Sequence, residues 1–275
     1  MQVNEAEWTE VSWQECRDIQ TRVLRSFAAA CDEQGFDFCL FGGSLLGAVR
    51  HEGFIPWDDD IDVAMRRQEY ERFILHARQF SNSTALSVHS LSTNEAWNLP
   101  FARVSDDRTR LFEESDTACP VGIGIDLFPI DDWWPGRWAI MQRWIARMLR
   151  YVLAAKSVRT SDRRVAWKNN VLAVMKRACR PVSARTLSQM IEAVCARRPV
   201  APATHLGVIV WGCQESVPVE AYQEFGTVVF EGDMYQSPGD ADRVLREIYG
   251  DYMTLPPIEQ QVTHHDFRAF KRINR

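Results

Sequence analysis

The sequence predicts an α/β fold in which a small α/β core precedes a basic helical insertion and a returning C-terminal segment. Three observations support this prediction. Short apolar runs of strand type alternate with helix-length segments up to about residue 135, the pattern is then helical to about residue 197, and short mixed elements follow. We therefore predict a single domain over 1–275. Its predicted parts are a core at 12–135, an insertion at 137–205 and a returning segment at 206–275.

Composition places the chain among ordinary globular proteins. Of its 275 residues, 46% are hydrophobic and 25% are charged, which excludes a disordered chain or a coiled coil. The seven cysteines are odd in number and form no CxxC pair, which argues against a disulfide framework or a zinc ribbon. The first residues lack a basic and an apolar region, and no run of about 18 apolar residues occurs. These features predict a cytoplasmic protein.

The predicted core begins with a helix and continues with two strand–helix pairs. A capping box at Ser12–Glu15 opens the first helix, which Gly35 ends. Short runs with β-type composition predict strands, and amphipathic spacing predicts helices. The next predicted elements are a strand at 37–41, a helix at 44–49, a strand at 60–65 and a helix at 68–80.

The remaining elements are shorter or more uniform. Three weak apolar runs predict strands at 85–91, 100–104 and 110–113, and a longer run predicts one at 121–129. The pattern is helical from 137 to about 197. Short elements at 206–211 and 227–230 precede a helix at 240–249 and a Pro-Pro break at 256–257.

The charge of the chain is unevenly distributed. Residues 137–185 hold 13 Lys/Arg and one acid, Asp162, in a chain of net charge −5. A strongly basic segment in an acidic protein indicates an anionic partner or surface. The alternative is a set of helices whose arginines are simply solvated.

The helix predicted at 137–156 is amphipathic. One side carries Trp138, Met141, Trp144, Ile145, Met148, Leu149 and Val152, and Arg143, Arg147 and Arg150 lie on or beside the other. One interpretation is an interfacial helix that makes peripheral contact with a membrane. The other is that the apolar stripe packs on the core while the arginines face water, the commoner arrangement in globular proteins.

Two features between residues 40 and 65 point to phosphate chemistry. Gly42, Gly43 and Ser44 lie between a predicted strand and helix, where backbone N–H groups and the helix N-terminus favour an anion. Asp60 and Asp62 then project from one face of a predicted strand, and two adjacent carboxylates repel unless a cation lies between them. Hard oxygen ligands suit Mg²⁺ or Mn²⁺, with phosphates completing the coordination.

Each feature alone has a simpler explanation, since a Gly-Gly-Ser run is usually a turn and adjacent acids often form a solvated loop. Asp62, however, lies between Ile61 and Val63, where an unpaired buried charge is costly. Together the two features predict phosphoryl or nucleotidyl transfer.

The run GGSLLGAVRHEGFIPWDDDID at residues 42–62 resembles the signature of the LicD family, which includes bacterial phosphorylcholine transferases and animal fukutin-related proteins. GIDLFPID at 124–131 and YGDYMTLPP at 249–257, followed by His264 and His265, also agree with the family pattern. The resemblance extends over 38–265, but the basic stretch from 137 carries no family motif.

The resemblance implies a nucleotidyltransferase-like mixed sheet flanked by helices. It also implies a metal site in which Asp60 and Asp62 form the carboxylate pair and Asp126 is the third acid. The sequence around Asp126 agrees with this assignment, because a charged side chain within an apolar run needs a metal or another partner. Asp58 is expected to support the metal, whereas Asp59 is expected to point away. The implied metal is Mg²⁺ or Mn²⁺, and the three ligands are also the predicted catalytic residues.

Family members transfer a phospho-alcohol from a CDP-linked donor to a glycan or lipid-linked glycan hydroxyl and release CMP. The resemblance therefore implies this activity here, with Asp126 as a candidate base and no nucleic-acid partner. The candidate substrate-binding residues are Gly42, Gly43, Ser44, Arg50, Trp57, Asp58, Arg103 and His265. Surface, capping or core roles explain several of them equally well. Two other functions remain open: nucleotidyl transfer from a nucleoside triphosphate, and a binding or scaffold protein without catalysis.

Overall fold

The computed structural model describes residues 7–113, 119, 121–157, 177, 179–197, 202–211, 215–263 and 267–273. Within these residues the chain forms a mixed sheet with helices packed on it, which confirms the predicted α/β class. The helices are α1 Trp13–Gln34, α2 Gly42–His51, α3 Arg67–Thr84, α4 Arg137–Ser157, α5 Ala184–Cys195 and α6 Ala241–Tyr249. In the described part of the chain, no helix is both long enough and apolar enough to cross a bilayer.

The strands are β1 Trp8–Glu10, β2 Cys39–Leu40, β3 Asp62–Arg66, β4 Ser87–His89, β5 Ala102–Glu113, β6 Val121–Asp132, β7 His205–Gly207, β8 Val217–Pro218, β9 Phe225–Phe230, β10 Asp233–Pro238 and β11 Phe267–Arg272. The main sheet runs β1-β11-β5-β6-β3-β2, with β4 paired to β5 and with β7 joining β6 to β8. The β3–β6 pair is parallel, and the other pairs are antiparallel. The strands β9 and β10 form a separate hairpin.

The first helix follows its sequence signals closely. The Ser12 hydroxyl accepts the Glu15 N–H, and Gly35, at φ 68°, donates its N–H to the Cys31 carbonyl. The left-handed conformation at Gly35 favours glycine because a side chain there would be strained. The buried face of α1 carries Phe27, whose ring makes edge contacts with Phe38, Phe73 and Phe80. This aromatic cluster fixes α1 and α3 against each other.

The strand predictions need two corrections. The strand predicted at 60–65 begins at Asp62, so Asp60 precedes β3 rather than lying on it; pairing with β6 starts at Asp62. The strands predicted at 100–104 and 110–113 are one strand, β5, whose register shifts between Asp106 and Leu111. The chain does not reverse at this irregularity, and Thr109 Oγ1 donates to the Asp106 carbonyl across it.

The helix after β2 begins earlier than predicted. Gly42 and Gly43 are its first two residues, rather than a loop between strand and helix, and Phe41 is the residue at its N-cap. Gly42 has φ 54°, a conformation that favours glycine. The backbone N–H groups of both glycines therefore belong to the open first turn of α2.

The helix α4 contacts the rest of the protein through a different face from the one predicted. Gln142, Ala146 and Leu153 are buried, whereas Trp138, Met141, Trp144 and Met148 of the apolar stripe are exposed. The expectation that this stripe packs on the core is therefore wrong for those four residues. Ile145, Leu149 and Val152 are half-buried.

Polar contacts explain the orientation of α4. The Gln142 side chain accepts the Trp134 N–H at 2.9 Å. The guanidinium groups of Arg143 and Arg150 lie 4.8 Å and 4.2 Å from the ring centroids of Trp133 and Trp211. Two of the three arginines expected to face water thus lie against indole rings, while Arg147 is exposed.

The C-terminal segment returns to the sheet at two places. Its strand β7 pairs with the end of β6, and β11 lies between β1 and β5. The division into a core at 12–135, an insertion at 137–205 and a segment at 206–275 stays a prediction, and only α4 and α5 of the insertion are described as long helices.

Candidate active site

Three charged residues form a row across the centre of the sheet. Asp62 at the start of β3 lies opposite Asp126 on the parallel strand β6. Arg103 on the antiparallel strand β5 lies opposite Asp126 on its other side. The Asp126 N–H donates to the Ile61 carbonyl at 2.9 Å, so the backbone pairing extends to the residue before Asp62. The sheet register therefore sets the predicted second and third acids side by side.

The loop before β3 adds three more carboxylates. Oxygen atoms of Asp58, Asp59 and Asp60 all lie within 4.8 Å of one another, a spacing that suits one cation. Asp59 is buried and takes part in this group, contrary to the expectation that it points away. The metal-like cluster thus includes one predicted ligand, Asp60, and two neighbours, whereas Asp62 and Asp126 lie outside it.

The helix α1 holds this acidic loop in place. Arg17 Nη2 donates to the backbone carbonyls of Ile55 at 2.9 Å and Asp58 at 2.6 Å. Gln20 Nε2 donates to the Asp59 carbonyl at 2.9 Å. Because these bonds go to main-chain oxygens, they fix the backbone of the loop from which the Asp58 and Asp59 side chains project. Neither Arg17 nor Gln20 was identified from the sequence, since their role depends on contacts about 40 positions away.

The electrostatic environment of Asp62 is unfavourable without a cation. Loss of solvent raises the pKa of its carboxyl well above the usual range, and the neighbouring carboxylates of Asp60, Asp126 and Asp58 raise it further. Arg103 opposes this effect but does not outweigh it. A divalent cation among these groups would relieve the repulsion, which is the behaviour expected of a metal-binding acid.

Arg103 has a different partner from the one predicted. Its guanidinium forms a bidentate pair with the Asp126 carboxylate, with Nε–Oδ1 at 2.6 Å and Nη2–Oδ2 at 3.0 Å. Such paired hydrogen bonds fix both groups in orientation. In this structure Arg103 therefore orients Asp126, and its use as a phosphate ligand stays a prediction.

The first two glycines of α2 make room for carboxylates. A Cβ atom on Gly42 would lie 2.9 Å from Asp62 Oδ2, and one on Gly43 would lie 2.4 Å from Asp58 Oδ2. Ser44 is buried, and its hydroxyl accepts the Asp62 N–H at 2.8 Å. The Gly-Gly-Ser run thus brings the positive end of α2 against the acidic cluster. A phosphate-binding role for the same residues stays a prediction.

We expect Gly43→Ala to weaken the predicted metal-dependent transfer at least about tenfold, because the new methyl group must displace the Asp58 carboxylate by several tenths of an ångström. The helix itself should be unaffected, since alanine favours it more than glycine does. Steady-state rates measured against Mg²⁺ concentration will check this, with circular dichroism as the folding control. Unchanged activity and unchanged metal dependence would show that Asp58 has no part in the site.

A cavity of about 1410 Å³ opens beside the acidic cluster. It brings together most of the predicted site residues, namely Gly42, Gly43, Arg50, Trp57, Asp58, Asp60, Asp62, Arg103 and Asp126. Arg50 lies with its guanidinium 6.0 Å from the Trp57 ring centroid and donates to the Tyr252 carbonyl at 2.9 Å. His265 falls outside the described residues, so its predicted role stays a prediction.

Other lining residues of the cavity come from parts of the chain that sequence reasoning did not assign to the site. Arg150 and Leu153 of α4 line it, as do Trp211, Tyr249 and Tyr252. An aromatic wall also includes Phe101 and Phe128, whose ring centroids are 4.5 Å apart. Phe128 follows Asp126 by two positions on β6, so both side chains project from one face of the strand.

Comparison with known proteins finds a matching family and several relatives. Residues 35–132 match the family described as LicD/FKTN/FKRP, nucleotidyltransferase domain. This range includes α2, β3, β5 and β6 and therefore all the acidic residues of the site.

The chain is 30% identical over 261 residues to the lipopolysaccharide cholinephosphotransferase LicD of Haemophilus influenzae, which covers 90% of this chain and 94% of that protein. Shorter matches link it to uncharacterized proteins of two rickettsial species. These are 32% identity over 62 residues in Rickettsia prowazekii and 44% over 36 residues in Rickettsia typhi. The Haemophilus influenzae protein therefore corresponds to this chain over almost the full length of both.

Proposed function

We propose that this chain, which belongs to the LicD family, transfers phosphocholine or a similar phospho-alcohol from a CDP-linked donor to a glycan hydroxyl and releases CMP. The observation that carries the proposal is the similarity, over nearly the whole chain, to a lipopolysaccharide cholinephosphotransferase. The acidic cluster of Asp58, Asp59 and Asp60 beside the N-terminal end of α2 supports it. The acceptor by this reasoning is a glycan or a lipid-linked glycan.

The acidic residues fit a divalent metal. The carboxylates of Asp58, Asp59, Asp60, Asp62 and Asp126 all line the cavity. Burial, together with the charges of Asp60, Asp126 and Asp58, raises the pKa of Asp62 well above its usual range. Hard carboxylate oxygens at this density suit Mg²⁺ or Mn²⁺. We propose that Asp60 and Asp62 hold the ion, with Asp58, Asp59 or Asp126 completing the set. A bound ion would neutralise charge on the donor diphosphate and on the departing CMP.

The other residues of the site would bind and orient the reactants. The open N–H groups at Gly42 and Gly43 provide donors for an anion, and Arg50 adds a cation at the same cavity. Arg103 holds the Asp126 carboxylate in a fixed orientation. In that position Asp126 can accept the proton of the acceptor hydroxyl as the new phosphodiester bond forms. Positioning and electrostatics would then supply most of the rate, as in other phosphoryl transfers.

Nucleotidyl transfer is the second candidate, because the matching family domain is described as a nucleotidyltransferase domain. The same acids would serve attack on the α-phosphorus of a nucleoside triphosphate. A scaffold role without catalysis is less consistent with the structure, since strongly perturbed acids cluster at functional sites.

A donor assay distinguishes these functions. Purified protein with Mg²⁺ and a glycan acceptor is incubated separately with CDP-choline, CDP-ethanolamine, CDP-glycerol, CDP-ribitol and CTP. We expect acceptor-dependent release of CMP from one CDP-alcohol and none with EDTA. Pyrophosphate release from CTP would favour nucleotidyl transfer instead. Calorimetry that finds no Mg²⁺-dependent binding of any cytidine compound would favour the scaffold role.

A further inference from the structure

The outer face of α4 exposes a row of large apolar side chains. Ile140 is 72% exposed and Trp144 is 64% exposed. The others on this face are Trp138, Met141, Met148 and Tyr151. Helical spacing places all six on about half of the helix circumference, opposite the buried Gln142, Ala146 and Leu153. Contiguous exposed apolar surface of this kind marks an interaction site in a globular protein.

A second exposed apolar segment lies near the C-terminus. Ile258 is 77% exposed, and Met253, Leu255 and Val262 are each more than half exposed. This segment follows α6 and includes the turn at Ile258–Gln260. We call these four residues and the six on α4 the apolar rim.

Both elements that carry the apolar rim, α4 and the segment after α6, also line the catalytic cavity. Leu153 and Ala154 of α4 line the cavity from one side. Pro256 and Val262 line it from the C-terminal segment. The α4 residues of the rim lie on the opposite side of that helix from Leu153, whereas Val262 belongs to both the rim and the cavity lining.

The charge of α4 identifies the kind of surface. Arg137–Ser157 holds five basic residues and no acidic residue, and two of the five, Arg137 and Arg147, are exposed. Arg147 is exposed, and its guanidinium donates to the Tyr151 hydroxyl at 3.0 Å, so a cation lies directly beside the apolar face. Tryptophan, tyrosine and methionine flanked by arginine are typical of helices at the boundary between lipid headgroups and acyl chains.

We propose that the apolar rim binds the surface of a bilayer containing anionic phospholipid, with α4 lying in the interface. Membrane contact through the rim would hold the protein at the surface where lipid-linked glycans lie. The use of such a glycan as the acceptor rests on the proposed function, whereas the membrane contact itself does not depend on catalysis. Binding requires both the apolar residues and the basic charge, because anionic lipid adds attraction to the buried apolar area.

Vesicle sedimentation of the full chain tests the proposal. We expect the protein to sediment with vesicles of phosphatidylcholine mixed with phosphatidylglycerol, to bind phosphatidylcholine vesicles less, and to be released by salt. The double variant Trp144→Gln, Ile258→Gln removes one exposed residue from each half of the rim. It should bind at least about tenfold more weakly. Leu75→Gln is the matched control, since Leu75 is 84% exposed on α3, outside the rim.

Several outcomes would overturn the proposal. Wild-type protein that stays in the supernatant at low salt, or a double variant that sediments like wild type, would exclude membrane binding by the rim. Concentration-dependent dimerisation that the double variant abolishes would assign the rim to a second copy. A double variant that loses unfolding stability by urea titration would show that other parts of the chain cover the rim. Transfer to a lipid-free acceptor is measured in parallel, so failure of the membrane contact and failure of the proposed function are distinguished.

Discussion

Asp62→Asn is expected to lower the transfer rate at least about 1000-fold while the protein stays folded. Asp62 lies at the junction of β3 and β6, next to Asp126 and in the field of Asp60 and Asp58. The neutral amide keeps the size of the side chain but removes one of the charges that would bind a metal and, through it, a diphosphate. Asp60→Asn should have a similar effect, because Asp60 belongs to the group of acids within 4.8 Å of one another.

The stability of the Asp62→Asn variant should change in the opposite direction from its activity. Burial and the like charges around Asp62 disfavour its ionised form in the folded protein. Removing the charge therefore should leave the melting temperature in EDTA equal to or above that of wild type. Mg²⁺ should raise the melting temperature of wild type but not that of the variant.

Asp32→Asn provides the control, since Asp32 is an exposed acid on α1 away from the site. It should leave the transfer rate and the Mg²⁺-induced stabilisation unchanged. A near-normal rate for Asp62→Asn, or an undiminished response to Mg²⁺, would remove Asp62 from the proposed metal site.

Much of the site could be predicted from the sequence because its parts lie in short segments with clear local signals. A β-type run around Asp62 and another around Asp126 suffice to predict two strands that carry acids. The structure adds that these strands are parallel neighbours in register. The helix after β2 was also predictable, although the close approach of the Asp62 and Asp58 carboxylates to its first two glycines was not.

Other features depend on contacts between distant segments and could not be read locally. Asp59 points into the cluster because Gln20, on α1, binds its backbone carbonyl. The orientation of α4 depends on Gln142 and on arginines that lie against indole rings. A hydrophobic pattern assigns the apolar side of a helix to the core, and it fails where polar anchors and stacked cations make the contact instead.

Arg67→Met is expected to destabilise the protein by about 3–5 kcal/mol without touching the active site. Arg67 begins α3 and forms a bidentate pair with Asp131 of β6, with Nε–Oδ1 at 2.6 Å and Nη2–Oδ2 at 3.0 Å. The side chains are 7% and 0% exposed. The substitution leaves a buried carboxylate without its cation, which accounts for the large cost. Arg67 Nη1 also lies 3.6 Å from Glu192 Oε1, so the pair connects α3 and the sheet to α5.

Urea denaturation of three variants separates the cost of an unpaired charge from the value of the pair itself. Arg67→Met with Asp131→Leu removes both charges and should recover most of the lost stability. Arg246→Ala breaks an exposed pair with Asp242 and should leave the stability almost unchanged. Burial already raises the pKa of the Asp131 carboxyl, so in Arg67→Met its folded-state pKa lies further above the unfolded value. Protonation then relieves the penalty, and the difference from wild type should shrink as pH falls toward the acid range. A cost below about 1 kcal/mol at neutral pH, or a double variant no more stable than Arg67→Met, would contradict this account of the pair.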